Sequence, residues 1–178
     1  MTVPGTFDTS ARELIHAGLQ NLDEARSLFR QLSASGFDAA RCGLLLDALQ
    51  HVCDPDVALR NLVDIVNAQV SQGRALDDIM PDDTAFRQLV AVLGVSDAMG
   101  KLMRFRPDLV QAAATDHCNS HLYNHDQRRA HVLESVGADP NDRMSPTATM
   151  DLADAATALR RTYRNQLAAI IAQDTMSD

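Results

Sequence analysis

Residues 54–73 read DPDVALRNLVDIVNAQVSQG, and this stretch decides the fold class. Asp54 followed by Pro55 has the form of an N-cap and the first helical position. Proline loses no bond there, because the N–H it lacks would have no partner in the first turn. Val57, Ala58, Leu62, Ile65, Val66 and Val70 follow at offsets of three and four, which places them on one helical face, and Gly73 stands where the helix would close. A strand of this length would need alternation, and none is present.

The same grammar extends in both directions. Ser10 and Glu13 have capping-box spacing ahead of Leu14, Ile15 and Leu19. Asn21 caps a helix carrying Leu22, Ala25, Leu28, Phe29 and Leu32, with Gly36 as its stop. Asp38 opens the next, with Leu45, Leu46, Leu49 and Val52 on its buried side. After a polar linker at 74–83, Asp83 or Thr84 starts a helix through Phe86, Leu89, Val90 and Leu93, and Gly94 is its expected end. Ser96 caps a short helix with Met99, Leu102 and Met103, and Pro107 opens another. The pattern weakens over 116–125. A helix through Ala130, Leu133 and Val136 then stops at Gly137, and 138–146 is a loop. A long last helix is expected from about Thr147 to Ala172, its apolar stripe made of Leu152, Ala156, Leu159, Tyr163, Leu167 and Ile170. The expected fold is all-α, a multi-helix array of at least six helices with no sheet. Its division is 1–146 as a helical subdomain and 147–178 as a long helix.

Composition agrees with this. Of 178 residues, 46% are hydrophobic but only 4% aromatic, and Trp is absent. A core of Leu, Val, Ala, Ile and Met suits helices, where unbranched side chains lose little rotamer freedom. The net charge of −8 opposes general nucleic-acid binding. Two local basic groups stand out, Lys101, Arg104 and Arg106, and Arg160, Arg161 and Arg164. Such groups are usually solvated helix faces. Cys42, Cys53 and Cys118 are odd in number and widely spaced, which fits reduced thiols and a cytoplasmic location. No apolar run approaches the roughly 20 residues that span a bilayer.

Few residues suggest chemistry. His117, His121 and His125, with Cys118 alongside, have the i, i+4, i+8 spacing of imidazoles on one helical face. Two of them could hold zinc or nickel, but nothing completes four-coordination, and incidental histidines are the simpler reading. Gly100-Lys101-Leu102 resembles the start of a phosphate-binding turn, yet Met103 and Arg104 follow in place of glycines. Asp151 and Asp154 lie at i, i+3 on the expected last helix, where both can face solvent. Ser96-Asp97 and Ser145-Pro146 read as a cap and a turn. No catalytic, cofactor-binding or metal-ligating residue is therefore assigned.

Four segments, taken in order, resemble glutamine synthetase adenylyltransferase, especially its actinobacterial form. They are Gly36-Phe37-Asp38 with the leucine-rich helix after it; Asp54-Pro55-Asp56 with Ala58, Leu59 and Leu62; Leu93-Gly94-Val95-Ser96 with Ala98, Met99 and Gly100, then Arg106-Pro107; and Gly137-Ala138-Asp139-Pro140 with Leu159, Arg160, Tyr163, Arg164, Leu167, Ile170, Ala172 and Asp174. Each is mostly capping chemistry, and their order and spacing carry the likeness. The segment 116–131 adds nothing to it.

The resemblance implies a far longer, bifunctional parent enzyme. Such an enzyme transfers AMP from ATP to a tyrosine of glutamine synthetase and removes it by phosphorolysis. It uses ATP and magnesium, and its partners are glutamine synthetase and a PII-type signalling protein. The family's Gly-rich turn and Ser-Asp-x-Asp strand, whose aspartates hold magnesium against phosphates, are missing from this sequence. The chain is thus expected to be a non-catalytic N-terminal helical part that stops before an α/β nucleotidyltransferase domain. Tyr163 and Arg164 are candidates for contact with a neighbouring domain, and the second half of the last helix, from about Tyr163, is expected to project or pair. The competing expectation is a stand-alone helical interaction or adaptor module.

Overall fold

The computed structural model describes residues 9–78, 80, 82–114 and 125–175. Among them are nine α-helices and no strand. In chain order they are α1 (Ala11–His16), α2 (Leu22–Ala34), α3 (Ala39–Leu49), α4 (Pro55–Ser71), α5 (Asp83–Val95), α6 (Asp97–Met103), α7 (Pro107–Ala114), α8 (His125–Ser135) and α9 (Leu152–Thr175). A 3₁₀ turn at Leu76–Asp78 interrupts the linker between α4 and α5.

The caps are where local chemistry puts them. Ser10 and Glu13 form both bonds of a capping box. Asn21, Asp38, Asp54, Asp82 and Ser96 each accept from a backbone N–H in the first turn of the helix that follows. Gly36 and Gly137 end α2 and α8 at φ +104° and +72°, a region costly for residues with a Cβ. Behind them, the N–H of Phe37 reaches Leu32 O and that of Ala138 reaches Leu133 O, which satisfies carbonyls the helices leave open.

Two of the sequence boundaries shift. Gly94 does not end α5; the helix continues to Val95, and Ser96 serves as both its C-cap and the N-cap of α6. Gly94 is instead a close-packing position, where an added Cβ would lie 2.9 Å from Val52 Cβ. The last helix begins at Leu152 rather than Thr147, with the Asp151 carboxylate accepting from Asp154 N at 2.9 Å.

The core is organised around α5. Nine of its residues, Ala85, Phe86 and Gln88–Gly94, are buried, so it is covered on nearly every side. It packs on α3, α4, α6, α7 and α9. A helix apolar all round belongs inside, whereas the sequence pattern had shown only its Phe86–Leu89–Val90–Leu93 face. In α4 the buried set is Ala58, Leu59, Leu62, Val63, Ile65 and Val66, with Asn61 and Gln69, while Val70 points outward. Asn61 donates to Leu93 O at 3.2 Å and so ties α4 to α5. Asp56 accepts from the N–H groups of Gln20 and Asn21 and pins the α1–α2 junction to the start of α4.

The long helix corrects the sequence expectation most. Leu152 is 87% exposed and Tyr163 65%, and Leu159 also faces outward. Among the described side chains of α9, the buried positions are Ala155, Thr162 and Ala168. Its first half lies on a small cluster of Val136, Ala138 and Leu133. Its second half docks into the main core through Ala168, Leu167 and Ile171, against α5 and α7. Both halves therefore pack, and the half expected to project is the one that enters the main core. Small side chains on the inner face let the helix backbone approach its neighbours, which turns the larger apolar residues outward.

Candidate functional site

α7 begins at Pro107, α8 lies across α9, and the three helices enclose a cleft of about 770 Å³. Four arginines line it: Arg106 from the residue before α7, and Arg160, Arg161 and Arg164 from α9. His131 and Ser135 of α8 form the facing wall, and Thr157, Thr162 and Asn165 complete the α9 side. The one carboxylate among the described lining residues is Asp108. Packing of α7 on α9 merges one member of the first basic sequence group with all of the second. Lys101 and Arg104 are held elsewhere, paired with Asp97 and Asp64.

The charges in this cleft are unequally satisfied. Arg106 forms a two-pronged bond to Asp108, Nε to Oδ1 at 2.9 Å and Nη2 to Oδ2 at 2.6 Å. That bond, with the Arg106 charge, holds the Asp108 carboxyl below its usual range against the opposing effect of burial, and Arg161 contributes further. The side chains of Arg160, Arg161 and Arg164 form no hydrogen bond or ion pair with another described residue, although Arg164 is half-buried. The Asn165 Oδ1 is shut from solvent and also lacks a partner among the described residues. Gln166 Nε2 of α9 donates to Arg128 O of α8 and fixes the two helices together.

A second, smaller hollow of about 540 Å³ lies between α8 and the 138–146 loop. One of its two arginines is used structurally, since Arg129 donates to Pro140 O and Asp142 O at 2.8 Å each. In the same loop, Asp142 accepts from Ser145 N and Met144 N, and these bonds lower its pKa.

The other sequence candidates do not assemble into a reactive centre among the described residues. Gly100-Lys101-Leu102 is ordinary helix within α6. Asp151 caps α9, so its carboxylate serves the backbone. Ser96 caps α6, and Ser145 sits in the loop where its N–H bonds Asp142. His117, Cys118 and His121 lie outside the described residues, and His125 is an exposed residue at the start of α8. No group of three or more metal-ligating side chains occurs among the described residues. Of the two described thiols, Cys53 is exposed, whereas burial pushes Cys42 up to about 11. No described helix is long and apolar enough to cross a membrane.

The chain is 62% identical, over 172 residues and 97% of its length, to a protein of Bifidobacterium longum strain DJO10A. That protein is a bifunctional glutamine synthetase adenylyltransferase/adenylyl-removing enzyme. This chain is similar to that enzyme over nearly all of its own length. The adenylyltransferase of strain NCC 2705 matches equally, and that of B. longum subsp. infantis is 59% identical over the same span. The chain covers only 16% of the length of each of these adenylyltransferases. No family model matches it. No solved structure gives a significant match.

Proposed function

We propose that this chain is the non-catalytic, N-terminal helical part of an enzyme that adenylylates glutamine synthetase and removes the AMP again, and so controls nitrogen assimilation. The observation that carries this is identity of 62% to a bifunctional adenylyltransferase across 97% of the chain, covering 16% of the relative. The parent would use ATP and magnesium in domains other than this one, in the cytoplasm, with glutamine synthetase and a PII-type protein as partners. The role of the present helices would be positional. The outward row of Leu152, Leu159 and Tyr163 on α9 supports this, because such residues suit packing against further parts of a longer enzyme.

Two assays test the proposal. The chain, incubated with labelled ATP, magnesium and glutamine synthetase, is expected to give no AMP-labelled tyrosine. With AMP-modified synthetase and phosphate it is expected to give no ADP. Either product above a no-protein control would refute the non-catalytic role. In the longer enzyme, Leu159→Asp with Tyr163→Asp is expected to slow AMP removal, and an unchanged rate would remove the positional role of α9.

A further inference from the structure

We propose that the cleft between α7, α8 and α9 binds a small, multiply charged anion, a phosphate compound or an oligocarboxylate, held by Arg161 and Arg164. Among the described residues, four guanidinium groups and an imidazole face one carboxylate there, in a chain whose overall charge is −8. Concentrating positive charge in one concave place opposes the background field of an acidic protein. Among the described residues, only Arg106 is hydrogen-bonded to an anionic partner, Asp108, which Arg161 also attracts at longer range. Arg164 is half-buried with no such partner among the described residues, and a guanidinium partly withdrawn from water is costly until it is paired. Guanidinium forks match the paired oxygens of phosphate and carboxylate, so arginines with no hydrogen-bonded anion among the described residues present donors in the geometry such anions accept.

Size and lining narrow the class. About 770 Å³ falls within the ordinary range of small-molecule clefts. Among the described residues, the walls carry Thr157, Thr162, Ser135 and Asn165 but no aromatic side chain on which a nucleobase would stack. A compact hydrophilic anion fits this lining better than a nucleotide. The unpartnered Asn165 Oδ1 adds an acceptor, which suits a ligand that also bears a hydroxyl or another donor. The inference stands on the cleft itself and does not depend on the adenylyltransferase reading.

The test is calorimetric titration of the full chain with pyrophosphate and, separately, with citrate, at constant ionic strength. At least one is expected to bind saturably at a single site. Arg161→Gln and Arg164→Gln should each weaken that binding about tenfold, the order expected for loss of one charge-assisted hydrogen bond. Arg12→Gln, on the exposed face of α1, should leave it unchanged. Circular dichroism of each variant confirms that the fold is retained. Preference between the two probes assigns phosphate or carboxylate chemistry. Absence of saturable binding by both, or equal weakening in the Arg12 variant, would overturn the site.

Discussion

Gly100 of α6 is pressed directly against Asn61 of α4: a Cβ placed on the glycine would lie 2.8 Å from Asn61 Cβ and closer still to its amide. That amide is already committed, since its Nδ2 donates to Leu93 O at the buried junction with α5. The absence of a side chain at position 100 lets α4 and α6 approach, and the approach keeps Asn61 in place.

Gly100→Ala is therefore expected to destabilise the protein. Alanine in a helix interior would ordinarily gain up to about 1 kcal/mol over glycine. Overpacking here should reverse the sign and cost about 1–3 kcal/mol. Urea denaturation read by circular dichroism should show a lower midpoint, and a raised midpoint would show that Asn61 can move aside.

Asp54 accepts from Val57 N at 2.9 Å at the start of α4. Asp54→Ala removes that cap and is expected to cost about 1 kcal/mol. Thermal melts of the two proteins measure it, and coincident melts would show that the first turn holds without the carboxylate.

The two halves of α9 should respond oppositely to truncation. Leu152 is almost fully exposed, so Leu152→Ala should change stability by less than about 0.5 kcal/mol. Leu167 is partly buried against the main core, and Leu167→Ala should cost on the order of 2 kcal/mol, at the low end for a core leucine. Hydrogen exchange adds a second reading: amides near Ala168 should be slower than those of the first turn. The reverse order would place the anchored end wrongly.

Asp108 has a depressed pKa in the folded state, caused first by its hydrogen bond from Arg106. A lowered folded value means that the unfolded chain binds the proton more readily. The stabilisation is then complete above the unfolded value of about 3.9 and is lost as pH falls through the depressed value. Asp108→Asn should melt at a lower temperature than the parent near neutral pH and converge with it near the acid limit. Melting temperatures across the acid range test this, and a constant difference between the two proteins would exclude the linkage.

Helix type, order and most starts were legible because they rest on neighbours in sequence. Ser10 with Glu13, Asp54 with Pro55, and Ser96 all satisfy backbone groups within one turn, and the tertiary fold did not need to intervene. The all-α class was legible for the same reason. Gly94 misled because a glycine that ends a helix and one that admits a neighbouring helix look the same in sequence. Only the approach of Val52 separates them. The Leu152–Leu159–Tyr163 row misled because periodicity identifies a face without saying which face turns inward.

By itself, the sequence determined which segments are helical, where their unpaired amides are capped, and that the chain resembles an adenylyltransferase. Those properties depend on dihedral preference, local hydrogen bonds and residue order. The tertiary structure alone decided that α5 is buried nearly all round, that α9 turns small residues inward, and that Arg106 joins Arg160, Arg161 and Arg164 around one cleft. The physical reason is that these follow from close packing between segments distant in the chain. Helix rotation is set there by which surfaces can approach most closely, and no local pattern contains that information.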